Sequence, residues 1–588
     1  MPDETPSAAV GSEPPGIGWL LALLMLALLP LAADYLLVHP DERHYTDGAG
    51  NMLVDGQWLS PRTAEGEYRF KKPVLAYWAT AAGIRAFGGN ALGARILFLL
   101  AAAGTVYVTY RTALIIHRRG EWAFMTAAIV AMNPEIILAG TRSMPDILLM
   151  FFLCVTFWGF TGVILRPRRE WIWPWVAHLG VGLALATKGS PPLAMALYFA
   201  VCAWALRGSS ALRRTLYPGA LATGLIIGLA WYVAALAMHG RAMWAEFMED
   251  HGPGRVAGDS MAVAAVFLFY AALWPALSVP WSPVAVVAIL RRQWSRRRLP
   301  RRARLGTLLA IGWVVVTTII LSLLTNVYDR YTLIAMPAVC IAIVGLFRKM
   351  RPANLTVELK RVSWIVLSLL AMGGLLVFGV NTWLRCWDGM MKAAVAGGVM
   401  GLLVYRIVRY GQPWSHVTAV AVAWLGFVGI AGLGLGWLVV PEAGQQLAEA
   451  MRAHRLLRGQ DSHQTVVMVG EDNIAAMIRV FTSYQAELDG YSWLVEPGAA
   501  EAAANASWLI IHEDEFADLE QGLFEPVITA YCIRDTSPSQ LWHAVRSGEL
   551  NELRQSLRKR LFLARRVDQG RVGGPIHHGE TVASFVRR

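Results

Sequence analysis

Charged residues are scarce in this chain of 588 residues, and their scarcity excludes an ordinary soluble protein. They make up 16% of the sequence, whereas soluble domains carry roughly 25%. The five cysteines include no CxxC pair, so the sequence indicates neither a disulfide framework nor a zinc site. Residues 1–17 contain no lysine or arginine, and they therefore lack the basic region with which a signal peptide begins. We expect the apolar run that follows them to be a retained membrane anchor.

The chain is rich in long apolar runs, which have the length needed to cross about 30 Å of hydrocarbon. Hydrophobic residues account for 56% of the sequence, and its 24 Trp and 17 Tyr suit a protein with two lipid–water interfaces. The sequence predicts about 13 spanning helices, which lie at roughly 18–38, 91–110, 122–140, 147–165, 171–187, 190–206, 216–238, 262–290, 305–325, 332–347, 362–381, 391–405 and 415–440.

The basic residues divide the loops between these runs into two sets. Six short loops hold 24 of them, whereas each short loop on the other side holds one or two. By the positive-inside rule the arginine-rich loops face the cytoplasm. The tail at 1–17 is then cytoplasmic, and residues 441–588 lie on the outer face. Because these loops account for much of the net charge of +12, that charge does not indicate nucleic-acid binding.

Two regions lack the long apolar runs of the predicted spans. One lies inside the predicted transmembrane domain, 18–440, and the other follows it. The first external loop, 39–90, contains two patterns typical of interfacial helices, at 42–56 and 73–87. Residues 441–588 are more charged and alternate between helix-like and strand-like segments, which predicts a small α/β domain. Its predicted elements are helices at 442–458, 473–485 and 538–560 and strands at 465–470 and 507–511.

Ionisable residues gather at the outer ends of the predicted spans, where a charge beside lipid is costly. Asp41 and Glu42 follow the first span, and helix capping is the alternative interpretation for both. Two adjacent lysines enter the second interfacial helix, where contact with lipid headgroups is the alternative. Further charged residues of this group are Asp146, Lys188 and Arg330.

The order of these motifs resembles that of the membrane-embedded glycosyltransferases of the GT-C fold. The motifs are DE-x-x-Y, KP, PD, TKG and RY, all within roughly residues 30–340. They are most similar to the branch that contains the aminoarabinose transferase of lipid A and the protein O-mannosyltransferases. The resemblance implies a membrane all-α fold of the GT-C type, about 13 transmembrane helices, and a small C-terminal α/β domain in the periplasm. Lys71 departs from the aminoarabinose branch, which usually has glutamate there, so the pattern leaves the acceptor open.

The resemblance also implies roles for individual residues. Asp41 would be the catalytic base or would orient the acceptor, and Glu42 and Asp146 would accompany it as catalytic acids. Lys72 would hold the phosphate of the lipid carrier. The other residues expected to bind the carrier or donor are Lys71, Lys188, Arg330 and Tyr331. No metal ligands and no required cofactor are implied, although a divalent metal is not excluded.

The implied activity is transfer of a hexose or pentose from a polyprenyl-phosphate carrier to an outer-face acceptor, with inversion. We expect lipid A or another envelope glycan or lipid as the acceptor, and the bacterial inner membrane as the location. A protein O-mannosyltransferase-like enzyme is one alternative. A transporter or flippase of lipid-linked sugars and a sensory membrane protein are others. The sequence shows no internal repeat and no charged residue deep in a predicted span, which argues against a transporter. Its polar clusters lie at the membrane surface and not in the C-terminal domain, which argues against a sensory protein.

Overall fold

The computed structural model describes most of the chain, with short gaps in the loops and longer ones near the C-terminus. The described residues are 16–33, 41–64, 66–166, 171–252, 260–291, 293, 295, 299–383, 387–439, 443–457, 466–468, 472–482, 506–517, 519, 523–533 and 538–567. Of the predicted tail at 1–17, residues 1–15 therefore lie outside the described residues.

Helices dominate the first three quarters of the chain, as the apolar runs predict. Each of the predicted runs coincides with a helix or with a closely spaced pair of helices. The helices are α1 (Ile17–Ala33), α2 (Glu42–Asp55), α3 (Leu75–Phe87), α4 (Ala91–His117), α5 (Gly120–Ala131), α6 (Pro134–Gly140), α7 (Pro145–Leu165), α8 (Ile172–Lys188), α9 (Pro191–Arg207), α10 (Ser209–Thr215), α11 (Pro218–His251), α12 (Ser260–Ala276), α13 (Trp281–Leu290), α14 (Arg301–Ser322), α15 (Met336–Lys349), α16 (Pro352–Trp383), α17 (Trp387–Val408) and α18 (Pro413–Val439).

The lengths and compositions of these helices make the protein a multi-pass membrane protein. Among the described residues, six helices are long and apolar enough to cross a membrane, and up to eight spans result if each of two bent pairs crosses as one. Those pairs are α5 with α6, bent by 63°, and α12 with α13, bent by 102°. Shorter apolar helices, among them α1 and α9, add to this set. The count of 13 spans stays a prediction.

The first external loop folds into the two helices that its pattern predicts. Helix α2 ends at Gly56, whose φ of 73° lies in the left-handed region that favours glycine at a helix C-terminus. On the face predicted to be apolar, Tyr45, Ala49 and Met52 are all buried. Helix α3 begins at Leu75, two residues later than the predicted start at Pro73. Helix α3 packs against both α2 and α4.

The described residues between 443 and 566 form a four-stranded sheet flanked by short helices. The sheet order is β1-β2-β4-β3, with β1 parallel to β2 and the other pairs antiparallel. Strands β1 and β2 lie at the two predicted positions, whereas β3 and β4 were not predicted. The elements are α19 (Ala443–Ala453), β1 (Val466–Met468), α20 (Asp472–Phe481), β2 (Trp508–His512), α21 (Glu513–Ala517), β3 (Phe524–Ile533), α22 (Pro538–Ser547), α23 (Leu550–Leu557) and β4 (Arg558–Arg566).

This C-terminal unit packs against the first external loop through α20. The Arg479 guanidinium lies 3.2 Å from the carboxylate of Asp47 and 3.2 Å from the side-chain oxygen of Asn51, both on α2. One residue further along α20, Val480 is buried in an apolar cluster with Ile84 of α3. The C-terminal unit and the first external loop therefore lie on the same side of the helical bundle.

Candidate active site

Asp41 stands directly before α2, and its carboxylate is not used to cap that helix. It makes no capping hydrogen bond, and instead accepts a hydrogen bond from Arg330 Nη1 at 2.9 Å. The Asp41 side chain is 45% exposed and that of Arg330 is 23% exposed. Two residues almost 300 positions apart thus meet in an ion pair that solvent or a ligand can reach.

Arg330 belongs to a 3₁₀ turn, Asp329–Ile334, that two features hold in place. The hydroxyl of Tyr270 on α12 donates to the carbonyl of Tyr328 at 2.9 Å and accepts from its N–H at 3.2 Å. The guanidinium of Arg330 also lies over the Tyr328 ring, 4.7 Å from its centre, at a distance suited to a cation–π contact. The arginine is therefore fixed at both its backbone and its charged end.

A second ion pair joins Asp146 to Lys188 at 2.6 Å. Asp146 is the second residue of α7 and Lys188 is the last residue of α8. Each charge suits its helix end, because the helix dipole favours acids at the start and cations at the end. The side chains are only 7% and 14% exposed, so this pair is nearly closed to solvent. The Lys188 ammonium also lies 5.3 Å from the centre of the Tyr331 ring.

Lys71 and Lys72 directly follow a hairpin that α11 holds in place. Within it, the N–H of Arg69 donates to the carbonyl of Pro61 at 2.8 Å. Three side chains of α11 fix the hairpin to the bundle. Their bonds join Trp231 Nε1 to Leu59 O at 2.9 Å, His239 Nε2 to Ser60 Oγ at 2.7 Å, and Phe70 N to Glu246 Oε2 at 2.8 Å. The two lysines therefore follow a segment of fixed position.

A cavity of about 500 Å³ brings these groups together. Its charged lining residues are Lys72, Asp146, Lys188 and Arg330, and the three cations all act electrostatically on the Asp146 carboxylate. The rest of the lining is mostly apolar and comes mainly from α9 and α14. Its apolar side chains include Leu193, Trp313, Ile320, Leu321 and Leu324. A cavity of this size, which combines a few clustered charges with a mostly apolar lining, suits an amphipathic ligand of small-molecule dimensions.

Two ionisable neighbours of Asp41, His44 and Arg330, have pKa values shifted in opposite directions. On one side, burial lowers the pKa of His44 to about 3, and the nearby cations Arg69, Arg43 and Lys71 act in the same direction. On the other side, burial acts to lower the pKa of Arg330, but the carboxylates of Asp146 and Asp41 raise it above its ordinary value. His44 is therefore neutral and Arg330 is charged at neutral pH.

Comparisons with known proteins find sequence relatives and solved structures that resemble this chain. Residues 19–242 match the family model described as dolichyl-phosphate-mannose-protein mannosyltransferase. An undecaprenyl phosphate-alpha-4-amino-4-deoxy-L-arabinose arabinosyl transferase of Pseudomonas fluorescens is 29% identical over 53% of this chain and 56% of its own length. The transferase of the same description from Pseudomonas aeruginosa LESB58 is 31% identical over 47% of this chain and 50% of its own. The matched segment thus spans about half the length of the curated relatives.

Solved structures extend the likeness to nearly the whole chain. The crystal structure of ArnT from Cupriavidus metallidurans bound to undecaprenyl phosphate has a TM-score of 0.65 at 18% identity, and the match covers 94% of this chain and 98% of that one. Its apo structure gives a TM-score of 0.64 over 93% of this chain and 98% of that one. The chain has the GT-C fold. The resemblance predicted from the sequence motifs is therefore confirmed.

Within the GT-C fold, the structure brings most of the predicted site residues to one place. Asp41 bonds Arg330 at the cavity, and five predicted residues line the cavity itself: Lys72, Asp146, Lys188, Arg330 and Tyr331. Lys71 is not among the described residues that line it. It lies near enough to His44 to contribute to the low pKa of that residue.

Glu42 has surroundings that do not support its predicted catalytic role. Its carboxylate is 3% exposed and accepts two hydrogen bonds from Arg95, at 2.6 and 2.7 Å. It accepts a third from the backbone N–H of Ser143 at 2.8 Å. A carboxylate enclosed and bonded in this way is not accessible to a substrate.

Sequence reasoning missed Arg95, although a signal for it exists. Arg95 interrupts the apolar run at 91–110 and is completely buried, so the helix places a charge where only an acid partner makes it tolerable. The structure shows that this acid is Glu42. Among the described residues, no group of three or more His, Cys, Asp or Glu side chains is arranged to hold a metal ion.

Proposed function

We propose that this protein is a membrane glycosyltransferase that moves a sugar from a polyprenyl-phosphate carrier to an acceptor. The observation that carries the proposal is the cavity that combines a cluster of charges around Asp146 with a mostly apolar lining. A polyprenyl-phosphate sugar has the same two features, because its phosphate is anionic and its chain is hydrocarbon. The relatives named as undecaprenyl-phosphate aminoarabinose transferases support this donor class.

The donor phosphate would lie between Lys72 and Arg330. Both cations border the cavity, and Arg330 stays charged at neutral pH. During transfer the bond between the anomeric carbon and the phosphate oxygen breaks, and its electron pair stays on the phosphate. Fixed cations aimed at that developing charge lower the barrier, which is commonly the largest contribution to such catalysis. The polyprenyl chain would lie along Leu193 and Ile320.

Asp41 would act on the acceptor. Its side chain is 45% exposed, so it can reach a hydroxyl in a way that Glu42 cannot. The acceptor oxygen attacks the anomeric carbon as the phosphate leaves, and the acceptor proton passes to the Asp41 carboxylate as general base. Where the acceptor is already an anion, Asp41 only needs to orient it. A single displacement of this kind inverts the anomeric centre.

The acceptor that we propose is lipid A or another envelope glycan or lipid, in line with the names of the relatives. A protein acceptor is the second candidate, because the matching family model is that of a protein mannosyltransferase. The transferred sugar is a hexose or a pentose. The proposed location is the bacterial inner membrane, with the site and the C-terminal unit on the periplasmic side and the N-terminus in the cytoplasm.

The test is sugar transfer in reconstituted vesicles that contain a purified polyprenyl-phosphate sugar and an extract of envelope lipids. Wild-type protein should release free polyprenyl phosphate, and Asp41→Asn should be slower by roughly 10²–10⁴-fold, the usual contribution of a general base. Transfer at an unchanged rate in Asp41→Asn would refute the role of Asp41. Movement of intact donor across the bilayer without loss of its sugar would favour a flippase instead.

A further inference from the structure

The buried network around Glu42 joins the two chain segments that carry the acids of the site. Glu42 is the first residue of α2 and directly follows Asp41. Its two carboxylate oxygens accept from Nε and Nη2 of Arg95, a paired geometry in which both groups are fixed in orientation. Since adjacent residues move together, this pair also restrains the backbone from which the Asp41 side chain extends.

The same carboxylate restrains the segment that leads to Asp146. The N–H of Ser143, three residues before Asp146, donates to Glu42 Oε1 at 2.8 Å. The hydroxyl of Ser143 donates to the carbonyl of Ala94 at 2.8 Å, next to Arg95 on α4. Two bonds from one serine therefore fix the turn between α6 and α7, one to Glu42 of α2 and one to α4 beside Arg95.

The burial of the network makes it unusually sensitive to change. Arg95 is 0% exposed and Glu42 is 3% exposed, so neither charge can be satisfied by water if its partner is lost. An altered Glu42 would therefore shift the start of α2, the turn at Ser143, or both. Displacements of about 1 Å at a reacting group can cost about 10²-fold in rate.

We propose that Arg95 and Glu42 are positioning residues that hold the segments of Asp41 and Asp146 in a fixed relation to each other. Their effect on the reaction rests on the proposed glycosyltransferase function, whereas their mechanical role does not. Neither residue touches the substrate. Arg95 supplies the geometry through its planar guanidinium, which lysine cannot reproduce because its ammonium is a single point charge.

Hydrogen exchange tests the mechanical role without reference to activity. In the purified full-length Glu42→Gln variant, the Ser143 amide should exchange at least about tenfold faster in the peptide that covers residues 141–146, because its acceptor loses its charge and the hydrogen bond weakens. Arg95→Lys should produce a smaller increase in the same peptide, and it serves as the test if Glu42→Gln does not fold.

Asp47→Asn is the matched control. Asp47 is also a buried acid of α2 paired with an arginine, but its partner Arg479 belongs to the C-terminal unit. Asp47→Asn should speed exchange in residues 472–482 and leave 141–146 unchanged. Unchanged exchange at 141–146 in Glu42→Gln, or an equal rise there in Asp47→Asn, would overturn the proposal.

Steady-state kinetics then test the link to catalysis. Glu42→Gln should lower kcat by about 10²-fold while the KM for the donor stays near that of the wild type. Arg95→Lys, which keeps the positive charge, should lower kcat by a smaller factor. A purely structural role would lower the yield of folded protein and leave kcat per folded molecule unchanged, which would contradict positioning. Absence of sugar transfer in the wild type would refute the proposed function, with the exchange result still decisive for the network.

Discussion

The two ion pairs of the site have the same chemistry in opposite surroundings. The pair of Asp41 and Arg330 is open, with side chains 45% and 23% exposed, and it lies in loops outside the spans. The pair of Asp146 and Lys188 is closed, with side chains 7% and 14% exposed, and it joins two helix ends. An open pair can exchange its partner for a ligand, whereas a closed pair costs too much to separate. We therefore assign chemistry to the open pair and support of the cavity to the closed pair.

The largest expected effect is loss of stability when the closed pair is broken. Lys188→Met leaves the Asp146 carboxylate buried without its cation, and we expect a loss of about 3–5 kcal/mol in the free energy of unfolding. The matched change in the open pair, Arg330→Met, should cost about 1 kcal/mol or less because solvent screens that pair. Thermal unfolding of both variants in the same detergent provides the measurement. Equal losses would remove the distinction between open and closed pairs.

The open pair should instead control the rate. Arg330→Gln should lower kcat by roughly 10²–10³-fold, the usual effect of removing a group that stabilises developing negative charge. Its melting temperature should remain close to that of the wild type. The comparison is between transfer rate and thermal stability in one preparation. A variant that keeps its rate but melts early would place Arg330 with the structural residues.

The two adjacent lysines provide a smaller and sharper comparison. Lys72 borders the cavity, and Lys71 is not among the described residues that line it. Lys72→Gln should weaken binding of polyprenyl phosphate by about tenfold or more, because a charge-assisted hydrogen bond to the phosphate is lost. Lys71→Gln should bind as the wild type does. Binding can be followed by native mass spectrometry, and equal weakening in both variants would refute the assignment.

The smallest expected effect concerns the ring beside Lys188. Its ammonium lies 5.3 Å from the centre of the Tyr331 ring. Tyr331→Phe keeps that ring and should unfold at nearly the wild-type temperature. Tyr331→Leu removes it and should cost about 0.5–2 kcal/mol of stability through the lost cation–π contact. If Tyr331→Phe destabilises as much as Tyr331→Leu, the hydroxyl rather than the ring supports the closed pair.

Much of the fold follows from the sequence because its signals are local. Apolar runs give the helices of the bundle, and Gly56 gives the end of α2. Strands β3 and β4 were missed because their signals are weak and depend on each other. Strand β4 reads RKRLFLARR, whose charges resemble a continuation of the preceding helix, and β3 contains Pro526 beside an irregularity in pairing. Their pairing in three dimensions stabilises both strands.

The candidate site was only partly predictable for a related reason. Asp146, Lys188 and Arg330 were expected on one face because a single topology rule orders all the loops. The sequence does not say which acid pairs with which cation, since that depends on how α7, α8 and the 3₁₀ turn pack. The sequence also does not show that the side chains of Asp41 and Glu42 differ in accessibility. They are neighbours in the chain, yet the direction in which α2 begins leaves one accessible and buries the other against Arg95.

The most direct test of the account is mass spectrometry of lipid A and envelope glycans from a deletion strain complemented with wild-type protein or with Asp41→Asn. We expect a lipid or glycan that carries an added sugar with the wild type and lacks it both in the deletion strain and with Asp41→Asn at equal protein levels. Identical profiles in all three strains, for lipid A and for the other envelope glycans, would contradict it.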